Sequence, residues 1–217
     1  MLNCFSSMYN NLYLNGNGEN QLQILQYPTI TQFKNATNVN SIIDRKILVL
    51  NNGNNIVEKL AEKISWNNGN NFAICVGYNP AQMNTSNLDK TNELVISLMQ
   101  QCGYDGYYLF NMFSVISSNK NATKGKNNLL ECIANTINCY FSHNKISFDL
   151  HIFWGKSVYI NRNNAKILQN ITVNNAYTIG TQNCRHHHPG RGVSQGSIAR
   201  HSCQNPIQVI NGKIVWL

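Results

Sequence analysis

Apolar positions in this chain gather into short dense runs separated by breaks rich in asparagine and glycine. Lys46–Leu50 (KILVL), Phe72–Gly77 (FAICVG), Tyr107–Phe113 (YYLFNMF) and Phe148–Trp154 (FDLHIFW) have strand length and little alternation, the pattern of strands buried on both faces. Between them the period lengthens. Ile56, Leu60 and Ile64 recur every four residues and predict a helix through IVEKLAEKI, stopped by Asn67-Asn68-Gly69. Leu94, Leu98 and Cys102 share one face of a helix expected over Asp89–Gly103, and further helices are expected over Leu129–Tyr140 and Tyr159–Leu168. Ala176–Ile179 reads as a fifth strand. Asn211-Gly212, between Ile207–Val209 and Lys213–Trp216, is the signal of a tight hairpin. Residues 1–40 hold only short alternating pieces, around Leu12–Leu14 and Gln21–Tyr27, and are expected as an N-terminal arm or hairpin ahead of one domain over residues 41–217.

Strands alternating with helices predict an α/β fold: a single three-layer domain with a central, mainly parallel sheet flanked by helices. Ligands in such sheets bind beyond the carboxyl ends of the strands. The polar interruptions fall at those ends, at Asn79-Pro80, Asn111, Gly155-Lys156 and a later histidine-rich loop.

Composition narrows the partner. The 217 residues are 42% hydrophobic, enough for a sizeable core, but only 12% charged. Seventeen Lys and Arg against nine Asp and Glu leave +8, a bias toward an anionic partner, with nucleic acid first and a solubilising surface as the alternative. The seven cysteines (Cys4, Cys75, Cys102, Cys132, Cys139, Cys184, Cys203) are odd in number and show no Cys-x-x-Cys pair, so no cofactor or metal is expected. Cys75 and Cys132 lie in apolar runs as core thiols. The opening Met1-Leu2-Asn3-Cys4 lacks the basic-then-apolar pattern of a signal peptide, and no apolar run reaches the roughly 20 residues of a membrane span. A reduced, cytoplasmic setting is expected, without membrane or obligate protein partner.

Arg185-His186-His187-His188-Pro189-Gly190-Arg191-Gly192 places three imidazoles between arginines, with two glycines that let the backbone approach another surface. It reads either as a solvated basic loop or as a site for an anionic polymer or leaving group. Cys184, His186, His188, His201 and Cys203 form a competing zinc set whose spacing matches no finger pattern.

Taken in order, Gly77-Tyr78-Asn79-Pro80, Tyr108-Leu109-Phe110-Asn111, Phe153-Trp154-Gly155-Lys156 and His188-Pro189-Gly190 with its continuation to His201 resemble the motifs of the uracil-DNA glycosylase superfamily, nearest its mismatch-specific branch. The layout is also similar to an uncharacterised bacterial family, with Asp89-Lys90-Thr91 as the middle element. The first resemblance implies a uracil-DNA-glycosylase-like fold and a metal-independent DNA glycosylase. Such an enzyme flips out uracil or a modified pyrimidine (a bulky phage-type cytosine included, in repair or defence) and hydrolyses its N-glycosidic bond. On that resemblance His188, with His187 in reserve, donates to the departing base, and Asn79 or Asp89 positions the attacking water. Asn111 reads the base edge; Tyr78, Pro80 and Phe113 wall the pocket. Lys156, Arg185 and Arg191 hold phosphates, with Gly190 and Gly192 letting the loop enter a groove. Asn111 has a simpler reading as a strand-end turn cap. The alternative function is a nucleic-acid- or nucleotide-binding module that keeps the fold without turnover.

Overall fold

The structure, a computed structural model, describes residues 1–14, 20–27, 41–80, 88–117, 120–146, 148–153, 162–178, 206–207 and 209–214. In chain order these form α1 (Leu2–Tyr13), β1 (Asn20–Tyr27), β2 (Asp44–Asn52), β3 (Asn55–Ser65), β4 (Phe72–Gly77), α2 (Lys90–Gln101), β5 (Gly106–Asn111), α3 (Leu130–Asn144), β6 (Leu150–Ile152), α4 (Arg162–Gln169), β7 (Ala176–Thr178), β8 (Pro206–Ile207), β9 (Val209–Ile210) and β10 (Lys213–Ile214).

The first eight strands make one sheet in the order β1-β2-β3-β5-β4-β6-β7-β8. Strands β5, β4, β6 and β7 run parallel. The pairs β1/β2, β2/β3, β3/β5 and β7/β8 are antiparallel. The sheet is therefore mixed, which corrects the mainly parallel expectation.

Part of the error lies in β3. Ile56, Leu60 and Ile64 do not lie on a helix; they belong to β3. Irregularities in the β2/β3 register skip residues 57 and 60, so Leu60 packs in the core on one side of the sheet and Ile64 in the core on the other, and their spacing of four is not one helical face. Asn52 and Asn55 pair across a tight turn, so β3 folds directly back on β2 and needs no helical crossover. Its other edge then pairs with β5, from Ala61↔Phe110 to Ser65↔Gly106. Both edges are thus satisfied in the sheet interior.

The parallel strands explain their own lack of alternation. Ile74 and Val76 of β4 face one core, with Phe5, Leu60, Phe110, Leu130, Ile133 and Leu168. Ala73 and Cys75 face the other, with Val95, Met99, Tyr107, Leu109 and Phe153. Helices α1, α3 and α4 contribute to the first core and α2 to the second, so helices flank the sheet on both sides.

The N-terminal stretch expected as an arm or hairpin contains instead a helix, α1. Leu2, Phe5 and Tyr9 form its buried stripe, and the Phe5 ring lies 5.1 Å from Phe110. Interleaved serine and asparagine hide this stripe from a reading by local apolarity. The terminal hairpin forms as expected, with Asn211 and Gly212 both at positive φ between β9 and β10. No helix among the described residues is long and apolar enough to cross a membrane. Cys75 and Cys132 are buried free thiols as expected, and Cys4 and Cys139 are also free. Cys102 is disulfide-bonded, against the expectation of uniformly reduced cysteines.

His151 on β6 is fully buried beside Tyr104, whose hydroxyl donates to Asp149 Oδ2 at 2.6 Å and lies 3.1 Å from His151 Nε2. Burial pushes the imidazole down from 6.5 to about 3, so it is neutral in the native state.

Two outcomes follow. Phe5→Ala should lower stability by about 3 kcal/mol or more in urea unfolding, the usual cost of emptying a buried phenyl site. Between pH 6.5 and about 3 the unfolded chain binds a proton at His151 that the native state refuses, so stability should fall as pH falls across that window. Urea midpoints at pH 6.5, 5.5 and 4.5 measure this, and His151→Gln should flatten the trend.

Candidate functional site

The chain leaves β4 through α2 on one face of the sheet and returns to β5; it then crosses through α3 on the other face to β6, on the opposite side of β4. β4 is thus the point where the winding reverses, and a crevice forms where connections diverge beyond such a strand. A cleft opens there. Gly77, Tyr78, Asn79 and Pro80 line it from the end of β4, Asn111 from β5, Phe153 from just after β6, Lys59 from β3, and Asp89, Thr91, Asn92 and Val95 from the start of α2.

Asn111 is the inner polar group. It is 4% exposed and lines the cleft, and its side chain makes no hydrogen bond to another described residue. Its place depends on its register partner Gly77, because a Cβ at residue 77 would stand 3.0 Å from Asn111 Oδ1. Leu109, Val95 and Phe153 supply apolar wall around it.

Asn79 is locked from behind. Its Nδ2 donates to the carbonyls of Ser117, Val115 (3.3 Å) and Pro80 (3.2 Å), which fastens the Asn-Pro turn to the segment following β5. These bonds use the donor side of the amide and leave Oδ1 as an acceptor. That segment is held in turn by Glu58, which accepts from the hydroxyls of Ser114 and Tyr9 and whose residue bridges to Val115. Asp89 is the N-cap of α2, with Oδ1 accepting from Asn92 N at 2.8 Å. Its second oxygen is left for the cleft.

Five expected residues therefore converge: Tyr78, Asn79, Pro80, Asp89 and Asn111. Tyr78 contributes less than expected, because its ring stands edge-on to Phe113 at 5.1 Å and its hydroxyl is 2.8 Å from Thr123. Phe113 supports Tyr78 and does not line the cleft. His187, His188, Lys156, Arg185, Gly190, Arg191 and Gly192 lie outside the described residues, as do the zinc candidates Cys184, His186, His201 and Cys203. Among the described residues no group of three His, Cys, Asp or Glu is placed to hold a metal.

Sequence reading missed a buried charged cluster beside the cleft. Glu62 is fully buried; Oε1 accepts from Arg45 Nε at 2.7 Å, and Oε2 from Lys59 Nζ at 2.7 Å and Asn92 Nδ2 at 2.9 Å. Asn92 Oδ1 accepts from the Tyr107 hydroxyl at 3.3 Å. Burial alone would raise the Glu62 carboxyl, but Lys59 and Arg45 outweigh it and hold it below the ordinary carboxylate range. The available signal was charge at residues 59 and 62 inside a run that becomes buried once it is read as a strand.

A model of the family described as protein of unknown function (DUF1643) matches residues 63–190, more than half of the chain. No curated protein and no solved structure matches it.

Replacing Glu62 with Gln would remove the carboxylate that Arg45 and Lys59 share. Loss of one member of such a pair typically costs about 3 kcal/mol or more, so Glu62→Gln should lower the urea midpoint sharply. An unchanged midpoint would show that the cluster contributes little.

Proposed function

The chain belongs to the DUF1643 family, and we propose that it is a DNA glycosylase that flips a pyrimidine nucleotide into the cleft at the end of β4 and hydrolyses its N-glycosidic bond. One observation carries this reading: Asn79, Asp89 and Asn111, brought from three elements, meet in a single cleft.

In this reading Asn111 pairs with the edge of the extruded base through its amide donor and acceptor. Val95, Leu109 and Phe153 exclude water around the ring. Asn79 Oδ1 holds the attacking water, because Nδ2 is already fixed by backbone carbonyls. The second oxygen of Asp89 takes the proton as water bonds to the anomeric carbon, and the electron pair of the broken carbon–nitrogen bond leaves with the base. His188, or His187, is assigned as donor to that base by the resemblance, and the arginines around it as phosphate contacts. The excess of +8 suits a DNA partner.

A second reading, a base-binding module without turnover, is favoured by one observation. Both water-handling candidates also have structural duties, Asn79 in the turn and Asp89 at the helix cap.

The test is base release from DNAs containing uracil, mismatched bases or bulky modified cytosines, with alkali cleavage at abasic sites. Wild type should release one base, and Asn79→Ala and Asn111→Ala should each slow release by about 10²-fold or more, the usual effect of removing one preorganised polar group. Salt-sensitive DNA binding with no release across the panel would select the second reading.

A further inference from the structure

We propose that the turn Lys124-Gly125-Lys126 is a phosphate-contacting rim of the cleft, whose two lysines hold the backbone of a DNA strand beside the nucleotide that enters. The inference rests on the DNA reading above and adds residues that this reading does not use.

The turn is tied to the cleft at both ends. Tyr78 lines the cleft, and its hydroxyl lies 2.8 Å from Oγ1 of Thr123, a buried residue that ends a 3-10 turn over Lys120–Thr123. Lys124 follows Thr123 directly, so their Cα atoms are about 3.8 Å apart. Downstream, Leu129 is buried and its N–H donates at 2.8 Å to the carbonyl of Met112, the residue after Asn111. Asn128 accepts from the Tyr13 hydroxyl at 3.3 Å through its backbone carbonyl, and from Leu130 N at 3.0 Å through Oδ1. Between these anchors Lys124, Gly125, Lys126 and Asn127 are exposed. The backbone N–H groups of the two lysines close the turn on the carbonyls of Asn121 and Thr123, and Gly125, at φ 72°, permits the reversal.

The charge of this segment has one sign. From Met112 to Leu130 the chain carries Lys120, Lys124 and Lys126 and no acidic residue. Among the described residues Lys124 and Lys126 form no ion pair and no side-chain hydrogen bond. The next acid, Glu131, is exposed in the first turn of α3, where the helix dipole offsets part of its charge. Asp89 caps α2 on the other side of the cleft. The opposite end of the sheet differs. Its described loops, at residues 66–71, 102–105, 145–146, 148–149 and 170–175, hold Asp105 and Asp149 against Lys145 alone. The lysine-bearing rim therefore lies at the end where the cleft opens. An ammonium on a flexible stem meets a phosphate as a point charge and displaces a condensed counterion, so exposure does not disqualify it as a contact. Such contacts place the strand and read no sequence, which leaves the choice of base to the cleft.

The probe is a fluorescein-labelled DNA oligonucleotide of ordinary bases, single-stranded and annealed, titrated with the full-length protein by fluorescence anisotropy over a range of salt concentrations. For wild type the logarithm of the binding constant should fall linearly with the logarithm of salt concentration. Lys124→Ala and Lys126→Ala should each reduce that slope by about 0.7 to 0.9 and weaken binding roughly fivefold at ~0.1 M salt. The double variant should lose both contributions, and Lys124→Arg should keep the wild-type slope. Lys145→Ala makes the same change of charge at the far end of the sheet and should leave the slope unaltered. Where base release is measured, the two alanine variants should raise KM and leave kcat unchanged. An unchanged slope in both alanine variants, or an equal loss in Lys145→Ala, overturns this inference alone, as does a fall in kcat without a change in slope. Failure of wild type to bind either form of the DNA overturns it together with the DNA reading.

Discussion

The buried carboxylate of Glu62 is the interaction on which the architecture around the cleft turns. Its two oxygens collect Arg45 from β2, Lys59 from its own strand and Asn92 from α2, and Asn92 passes the connection to Tyr107 on β5. A carboxylate in that position is tolerable because each oxygen is met by donors, two of them cationic. The cluster therefore does two things at once. It fixes the start of α2 against the antiparallel half of the sheet, and it leaves a cation at the edge of a cleft.

The cleft itself is a consequence of connectivity. Because the chain winds outward from β4 in both directions, a crevice forms beyond the carboxyl end of that strand, and side chains from its neighbours converge there. Gly77 keeps the space beside Asn111 open, and the Asn79 turn is fastened through the 114–117 segment to Glu58 and, beyond it, to Tyr9 on α1. The N-terminal helix is thus linked by hydrogen bonds to the wall of the candidate site. A rigid shell of this kind is what a base-reading pocket requires, since a displacement of about 1 Å in a positioning group is enough to lose much of its effect.

Much of the parallel half was legible in the chain. The apolar runs at residues 72–77 and 107–111 become neighbouring central strands, Asp89 caps the helix it was expected to open, and Asn79 and Asn111 sit at strand ends as their neighbours implied. These features are local: a buried strand needs a dense apolar run, a helix start needs a short polar acceptor, and a strand end shows where the run stops. The antiparallel half was misread for the converse reason. Spacing by four at Ile56, Leu60 and Ile64 imitates a helical face, and only pairing with β2 and β5, with its bulged register, sends Leu60 and Ile64 to opposite cores.

The sequence by itself determined which residues carry polar chemistry at strand ends, because the alternation of apolar run and polar break is written in consecutive positions. The tertiary structure alone decided that Lys59, Glu62 and Asn92 join them, and that Tyr78 faces Phe113 and Thr123 with part of its surface on the cleft. The reason is distance along the chain. Glu62 and Asn92 are thirty residues apart, and their contact exists only once β3 lies in the sheet and α2 has packed across its face. Charge that looks like a solvated surface in the linear chain becomes a buried, oriented group when strand pairing removes it from water.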